Sequence, residues 1–201
     1  SHASHHGSWD KINIDGLRIK MNHLGGRLAY SFGRDEDIVV GSEVEDGNIV
    51  VFCFGEIDCR CHVHKYQPNW KESINNLVTS YVVNVKKNII GKSIVACIFN
   101  VVPPLEREDP KNHAAELGSG TPAEGSDKDR QKYTVYMNER LKKACEDYEL
   151  TYFDVYDKYT NEKGFINEEL SDGNCHISNP IYMEQFIADN LMRGKKYGNR
   201  G

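Results

Sequence analysis

The sequence lacks several features that would place the chain in a specialised class of protein. Its longest strongly apolar runs, of which residues 49–54 are an example, are far too short to cross a bilayer. It also has no excess of positive charge, because 25 Lys and Arg residues face 30 Asp and Glu residues, for a formal net charge of −5. This balance gives no reason to expect nucleic acid or a membrane as a partner. No internal repeat is apparent.

The six cysteines do not follow the spacing of a small secreted domain held together by disulfides. Cys53 and Cys97 lie within strand-like apolar runs, and Cys145 lies on the apolar side of a predicted helix. Buried, reduced thiols are therefore the simplest interpretation. No signal peptide is visible, so we expect a cytoplasmic location. Because the chain opens abruptly, a signal peptide lost upstream is compatible with the same sequence.

The composition is typical of a soluble globular domain. The chain has 201 residues, of which 39% are hydrophobic and 27% charged, enough for one domain with a sizeable core. We expect residues 1–192 to form that domain. The basic, glycine-containing residues 193–201 are expected to form a flexible tail.

Apolar runs alternate with segments of helical periodicity along the chain. Strands are predicted at residues 17–24, 49–54, 93–102 and 151–156, and helices at residues 69–89, 128–148 and 181–191. This alternation favours right-handed βαβ units. We therefore predict an α/β fold with three α/β/α layers and a mostly parallel, flavodoxin-like sheet of about five strands, one of them supplied by residues before Ser1. The long segment 103–127, rich in Pro, Gly and acidic residues, is either a substrate-side lid or plain disorder.

Polar clusters fall where the predicted strands end, which is where open α/β sheets place their sites. An ester-cleaving site needs a hydroxyl nucleophile, an imidazole base and a carboxylate that orients the imidazole. Asp172 and His176 supply the last two from one short segment, and Ser1 would supply the hydroxyl. Donors for the developing oxyanion are available from backbone amides of three glycines and from one side chain: Gly25, Gly26, Gly55 and Arg60.

The order of four sequence blocks resembles the SGNH (GDSL-like) hydrolase superfamily, of the esterase and acyltransferase type. The blocks are SHASHHGSW at the start, LGGRLAYSFGRD from Leu24, FGEIDCR from Phe54 and LSDGNCHI from Leu170. The resemblance implies a serine-dependent hydrolase or acyltransferase acting on a small acyl ester, such as an O-acetylated carbohydrate, without a cofactor. It assigns Ser1 as nucleophile, His176 as base and Asp172 as the residue that orients it.

Two departures from the family pattern motivate an alternative, a non-catalytic carbohydrate-binding or scaffold protein with the same fold. Ile57 stands where many members have the Asn of the oxyanion hole, and three residues rather than two separate Asp172 from His176. The opening SHASHHGS is also typical of an affinity-tag remnant, in which case Ser1 is not the nucleophile.

The block after the strand at 49–54 has two further interpretations. Glu56, Asp58 and Arg60 are expected to form a buried charge network that braces the strand end, in preference to direct catalysis. A metal site is the alternative interpretation for one group of thiols and imidazoles, namely Cys59, Cys61, His62 and His64. Because C-x-C-H-x-H lacks the gaps typical of structural zinc sites, no metal is predicted.

Overall fold

A parallel sheet of three strands lies at the centre of the protein. The computed structural model describes residues 9–107 and 123–192. The strands are β1 (Ile49–Phe52), β2 (Val95–Phe99) and β3 (Thr151–Phe153), in the order β1-β2-β3, with both pairs parallel. The α/β class and the parallel sheet are as predicted. The expected number of about five strands is wrong, since the described part of the chain forms three.

Four α-helices connect and cover the strands: α1 (Ala29–Arg34), α2 (Trp70–Asn88), α3 (Asp127–Asp147) and α4 (Ile181–Phe186). The periodicity of the sequence predicted α2 and α3 to within two residues at each end. Ser126 and Asp129 set the start of α3 with a capping box, in which each side chain accepts a hydrogen bond from the other residue's backbone N–H. Shorter helical turns follow β1, β3 and α4, at Asp58–His62, Val63–Tyr66, Tyr156–Tyr159, Glu168–Leu170 and Ile187–Leu191.

The sheet separates two apolar cores. Ala96 and Ile98 of β2 belong to a first core with α1, α2 and α3, whereas Cys97 and Phe99 belong to a second core with Trp9 and the segment around α4. Successive side chains of a strand point to opposite faces, so a strand buried on both sides must be apolar throughout. This is why the runs around β1 and β2 have no polar alternation.

The strand predicted at residues 17–24 is absent from the described structure. Leu17 and Ile19 pack against the second core together with Ile12 and Ile14, and the Leu17 amide donates to the Ile14 carbonyl at 3.0 Å. The alternating apolar residues therefore reflect side-chain burial of an irregular segment whose backbone pairs with no strand in residues 9–107 or 123–192.

Three expectations fall on other residues. They concern residues outside the described ranges, namely the nucleophile assigned at Ser1, residues 108–122 of the loop predicted as a lid or disorder, and the tail 193–201. Of the helices in the described ranges, none combines the length and the apolar character needed to cross a membrane.

Candidate active site

Asp172 and His176 lie at the two ends of a tight backbone hairpin. Ser171 and Ile177 form an antiparallel bridge, and the Asp172 amide donates to the His176 carbonyl at 3.1 Å. Gly173 occupies the turn with φ +79°, a left-handed conformation that glycine adopts without strain. The Asn174 amide donates to Asp172 Oδ1 at 2.9 Å, which fixes the carboxylate in place.

This hairpin brings the predicted base and its carboxylate into direct contact. Asp172 Oδ2 lies 2.7 Å from His176 Nδ1. The His176 side chain is 19% exposed and that of Asp172 is 42% exposed, so the pair lies near the surface. With the carboxylate accepting at Nδ1, the neutral ring carries its proton there and presents Nε2 as the basic nitrogen. The unusual three-residue spacing therefore does not separate the two groups.

Glu56 and Arg60 form a buried ion pair just beyond β1. Arg60 Nε donates to Glu56 Oε1 at 2.5 Å and Nη2 donates to Oε2 at 3.1 Å, with the two side chains 9% and 7% exposed. Burial by itself would lower the pKa of Arg60, but the adjacent Glu56 carboxylate outweighs it and raises that pKa. Arg60 is thus held as a permanent cation. Of the expected charge network, the Glu56–Arg60 pair is present, whereas the Asp58 carboxylate accepts from two backbone amides instead. An oxyanion contact from Arg60 stays a prediction.

The Glu56–Arg60 pair lies close to the hairpin that carries His176. Burial raises the pKa of the neighbouring Cys175 thiol, the Glu56 carboxylate raises it further, and the guanidinium groups of Arg60 and Arg107 act in the opposite direction. These charges act on the thiol only because they lie near it. The segment after β1 and the segment before α4 therefore meet at one edge of the sheet, although about 115 residues separate them along the chain.

Asp58 joins the glycine segment to the same edge. Its Oδ2 accepts from the Ala29 amide at 2.8 Å and its Oδ1 from the Tyr30 amide at 3.1 Å, at the start of α1. Burial raises the pKa of Asp58, and the two amide donors oppose that rise. A Cβ built on Gly26 would lie 3.8 Å from the Ile57 Cδ1 atom, so Gly26 adjoins the segment after β1.

Gly55 is required by the packing of the first core. Its φ is +113°, and a Cβ at this position would lie 2.7 Å from Met137 Cε and 2.8 Å from Val101 Cγ2. No side chain fits there. The role of its amide in an oxyanion hole remains a prediction, as do those of the Gly25 and Gly26 amides.

The chain enters the described structure beside the segment that follows His176. The Trp9 ring packs against Phe99 and Phe153, at centroid distances of 5.7 Å and 5.8 Å. Lys11 Nζ donates to the Ser178 carbonyl at 3.1 Å. The position of Ser1 itself is not described, so its assignment as nucleophile stays a prediction.

The metal-site alternative has no geometric support within the described ranges, where no group of three or more His, Cys, Asp or Glu side chains is placed to hold an ion. His64 Nδ1 instead lies 3.0 Å from the Tyr133 hydroxyl, and Cys59 Sγ lies 3.4 Å from Met137 Sδ. Both groups are used in packing between the turns after β1 and helix α3.

Sequence reasoning did not identify two arginines near this edge. Arg107 and Arg130 line a small cavity together with Glu56, Arg60 and residues that follow β2. Arg130 donates to the Gly125 carbonyl at 2.5 Å and pairs with Asp127. Neither arginine belongs to a recognisable motif, and only the three-dimensional arrangement brings them to the ion pair.

Comparison with known proteins places the fold but not a sequence family. No protein-family model matches the sequence, and no curated protein matches it. Among solved structures, a GDSL-like lipase from Bacteroides thetaiotaomicron aligns with a TM-score of 0.53 and 17% identity, over 81% of this chain and 70% of its own. A putative acylhydrolase from Bacteroides fragilis aligns with a TM-score of 0.52 and 16% identity, over 82% of this chain and 69% of its own.

A third solved structure is more distant. The OSK domain of Drosophila Oskar aligns with a TM-score of 0.38 and 13% identity over 63% of this chain, and this chain spans 47% of its length. At that TM-score the likeness says nothing further about this protein. The two bacterial structures establish that the chain has an α/β fold similar to that of GDSL-like acylhydrolases.

Proposed function

We propose that this protein is a serine-dependent ester hydrolase or acyltransferase acting on a small acyl ester, such as an O-acetylated carbohydrate. The single observation that carries the proposal is the contact between Asp172 Oδ2 and His176 Nδ1 at 2.7 Å, on a fold similar to that of acylhydrolases. The contacts of Trp9 and Lys11 support a role for Ser1. Trp9 packs in the second core, and Lys11, ten residues after Ser1, contacts Ser178, two residues after His176. Ten residues span up to about 36 Å when extended.

In the proposed mechanism, the Ser1 hydroxyl attacks the ester carbonyl carbon while His176 Nε2 takes its proton. Asp172 keeps the ring oriented and stabilises the imidazolium that forms. The tetrahedral intermediate carries its negative charge where backbone amides at Gly25, Gly26 or Gly55 would donate, with Arg60 nearby as a cation. Its collapse expels the alcohol, which takes the proton from His176. Water, or a second alcohol in acyl transfer, then attacks the acyl-serine by the reverse sequence.

The direct test is hydrolysis of an aryl acetate by the wild-type protein and by Ser1→Ala and His176→Ala variants. We expect both variants to lose activity, and a fluorophosphonate to label the wild type at Ser1. Ser42→Ala is the matched control, because Ser42 is an exposed serine in the segment before β1 and is not among the proposed site residues. Equal rates for wild type and Ser1→Ala, or labelling at another serine, would remove the serine mechanism as proposed.

The second candidate function is a non-catalytic carbohydrate-binding protein with the same fold. Ile57 favours this candidate, because it is 1% exposed and its side chain offers no hydrogen-bond donor. Many members of the SGNH superfamily, which the sequence resembles, have the Asn of the oxyanion hole at this place. If the wild-type protein binds carbohydrate but hydrolyses no ester, this second candidate function is the correct one.

A further inference from the structure

An open groove with two exposed tyrosines lies between α1, the turn before α2, and α2 itself. We define this tyrosine groove by Tyr30, Tyr66, Asn69, Glu72 and Asn76, all of which line it. Asn69 directly precedes α2, and Glu72 and Asn76 follow it at spacings of three and four residues, so the three side chains lie on one side of the start of this helix. No step of the proposed reaction uses any of these side chains.

The two tyrosines give the groove an aromatic surface. Tyr30 is 45% exposed and Tyr66 is 52% exposed, although large aromatic side chains are usually well buried. The Arg34 guanidinium lies 5.4 Å from the Tyr30 ring and is itself paired with Asp35 at 2.6 Å. A tyrosine ring offers an apolar face and a polar tip, which suits a ligand that has both apolar and hydroxyl surfaces.

The α2 side of the groove supplies hydrogen-bonding groups that the rest of the described chain does not use. The side chains of Asn69, Asn76 and Glu72 make no hydrogen bond or ion pair with other described residues. An amide offers donors and an acceptor together, which matches a sugar hydroxyl, itself both donor and acceptor. Glu72 is the single charged residue among those that line the groove. Its negative charge disfavours polyanionic ligands.

The groove begins at the edge of the sheet that carries the candidate active site. The Tyr30 amide donates to Asp58 Oδ1 at 3.1 Å, and Asp58 lies two residues before Arg60. We infer that the tyrosine groove binds a neutral oligosaccharide, with sugar rings on Tyr30 and Tyr66 and hydroxyls on the α2 amides, and that this glycan carries the ester. The second half of the inference rests on the proposed function; glycan binding itself does not.

The test is calorimetric titration of the full chain with neutral cello-, xylo-, manno- and chito-oligosaccharides. We expect at least one of them to bind, and Tyr30→Ala or Tyr66→Ala to weaken that binding about tenfold through loss of ring contact. Tyr30→Phe and Tyr66→Phe keep the ring and should bind within about twofold of wild type. If one alanine variant folds poorly, the other still tests the inference, because the two tyrosines lie on separate segments of the chain. Tyr148→Ala is the matched control, since Tyr148 is an exposed tyrosine at the end of α3, outside the groove.

The same titration on a His176→Ala variant separates the two proposals. Unchanged glycan binding is expected there even though ester hydrolysis is lost. Hydrolysis without binding of any of the four oligosaccharides would overturn the groove inference and leave the esterase standing, whereas binding without hydrolysis would do the reverse. Binding that is unaffected by both Tyr→Ala substitutions would also overturn the inference, because the glycan would then occupy another surface.

Discussion

Replacing Glu56 by glutamine should leave the buried Arg60 guanidinium beside a neutral amide. Both side chains of the pair are more than nine-tenths buried and joined by two hydrogen bonds, so both charges are largely removed from solvent. Breaking a buried ion pair by removing one partner typically costs about 3–5 kcal/mol. We therefore expect Glu56→Gln and Arg60→Met each to lower the free energy of unfolding by about this amount.

This cost is large for a domain of this size. Total unfolding free energies are about 5–15 kcal/mol, and a domain of 150–250 residues loses about 2–4 °C of melting temperature per kcal/mol. The single variants should therefore melt about 6–20 °C below wild type. The double variant Glu56→Gln/Arg60→Met combines the two substitutions and removes both charges, so it should cost less than the two single substitutions added together.

Urea denaturation of the four proteins in this double-mutant cycle measures the coupling directly. The matched control is the pair formed by Lys143 and Asp147, which has the same four-residue spacing and a 2.6 Å contact but side chains 57% and 53% exposed. Removing Asp147 should cost under about 0.5 kcal/mol. Single costs at Glu56 or Arg60 below about 1 kcal/mol, or strict additivity, would refute the bracing role. Lost hydrolysis in Arg60→Met at unchanged stability would point to substrate contact instead.

Three further predictions concern other parts of the structure. Gly55→Ala should lower the unfolding free energy by about 2–4 kcal/mol, because the new methyl group would clash with Met137 and Val101 and alanine disfavours the left-handed φ. Gly26→Ala, where a methyl group fits, should change it by under about 0.5 kcal/mol. Urea denaturation measures both changes. Hydrogen bonding from Lys132 and the α3 cap lowers the pKa of Asp129 to about 2, from 3.8. The stabilisation by the ionised Asp129 carboxylate is therefore complete above pH about 4 and is lost as the pH falls through about 2. Asp129→Asn should be less stable than wild type at pH 7, and this difference should shrink below pH about 4; a constant difference would contradict the prediction. Asp172→Asn should reduce aryl-acetate turnover about 10³–10⁴-fold with an unchanged melting temperature, and full activity in this variant would exclude Asp172 from the site.

The elements with strong apolar patterning could be predicted from the sequence. The run around β1 and β2 is apolar on both faces, and α2 and α3 have long stripes of period 3.6, so their existence and type follow from the pattern. The six-residue helix α1 could not be predicted, because its first two amides depend on a carboxylate 29 and 28 residues further along the chain. The strand expected at residues 17–24 shows the converse: the local pattern is present, but the tertiary contact that a strand needs is absent from the described part of the chain. Its alternation is genuine, but no neighbouring backbone pairs with it in the described structure.

The candidate site was predictable only where its groups are close in sequence. The proximity of Asp172 and His176 follows from a short segment, although the spacing alone could not show that a hairpin joins the two side chains. Glu56 and Arg60 are four residues apart, about one helical turn, so their contact could also be predicted from the sequence. Arg107 could not be placed, because its approach to Cys175 depends on tertiary structure alone. The tyrosine groove likewise joins residues from three separate segments.

The capping of α1 by Asp58 leads us to expect an order in which the parts of the first core fold. A helix of six residues does not persist in water on its own, since nucleation costs more than so few hydrogen bonds return. Here the acceptor is the side chain of Asp58, which follows β1, so we expect α1 to form only after the end of β1 has docked beside the first core. The glycine loop just ahead of α1 should thus acquire its final conformation late. Hydrogen exchange at the Ala29 and Tyr30 amides would report how often their hydrogen bonds to Asp58 open.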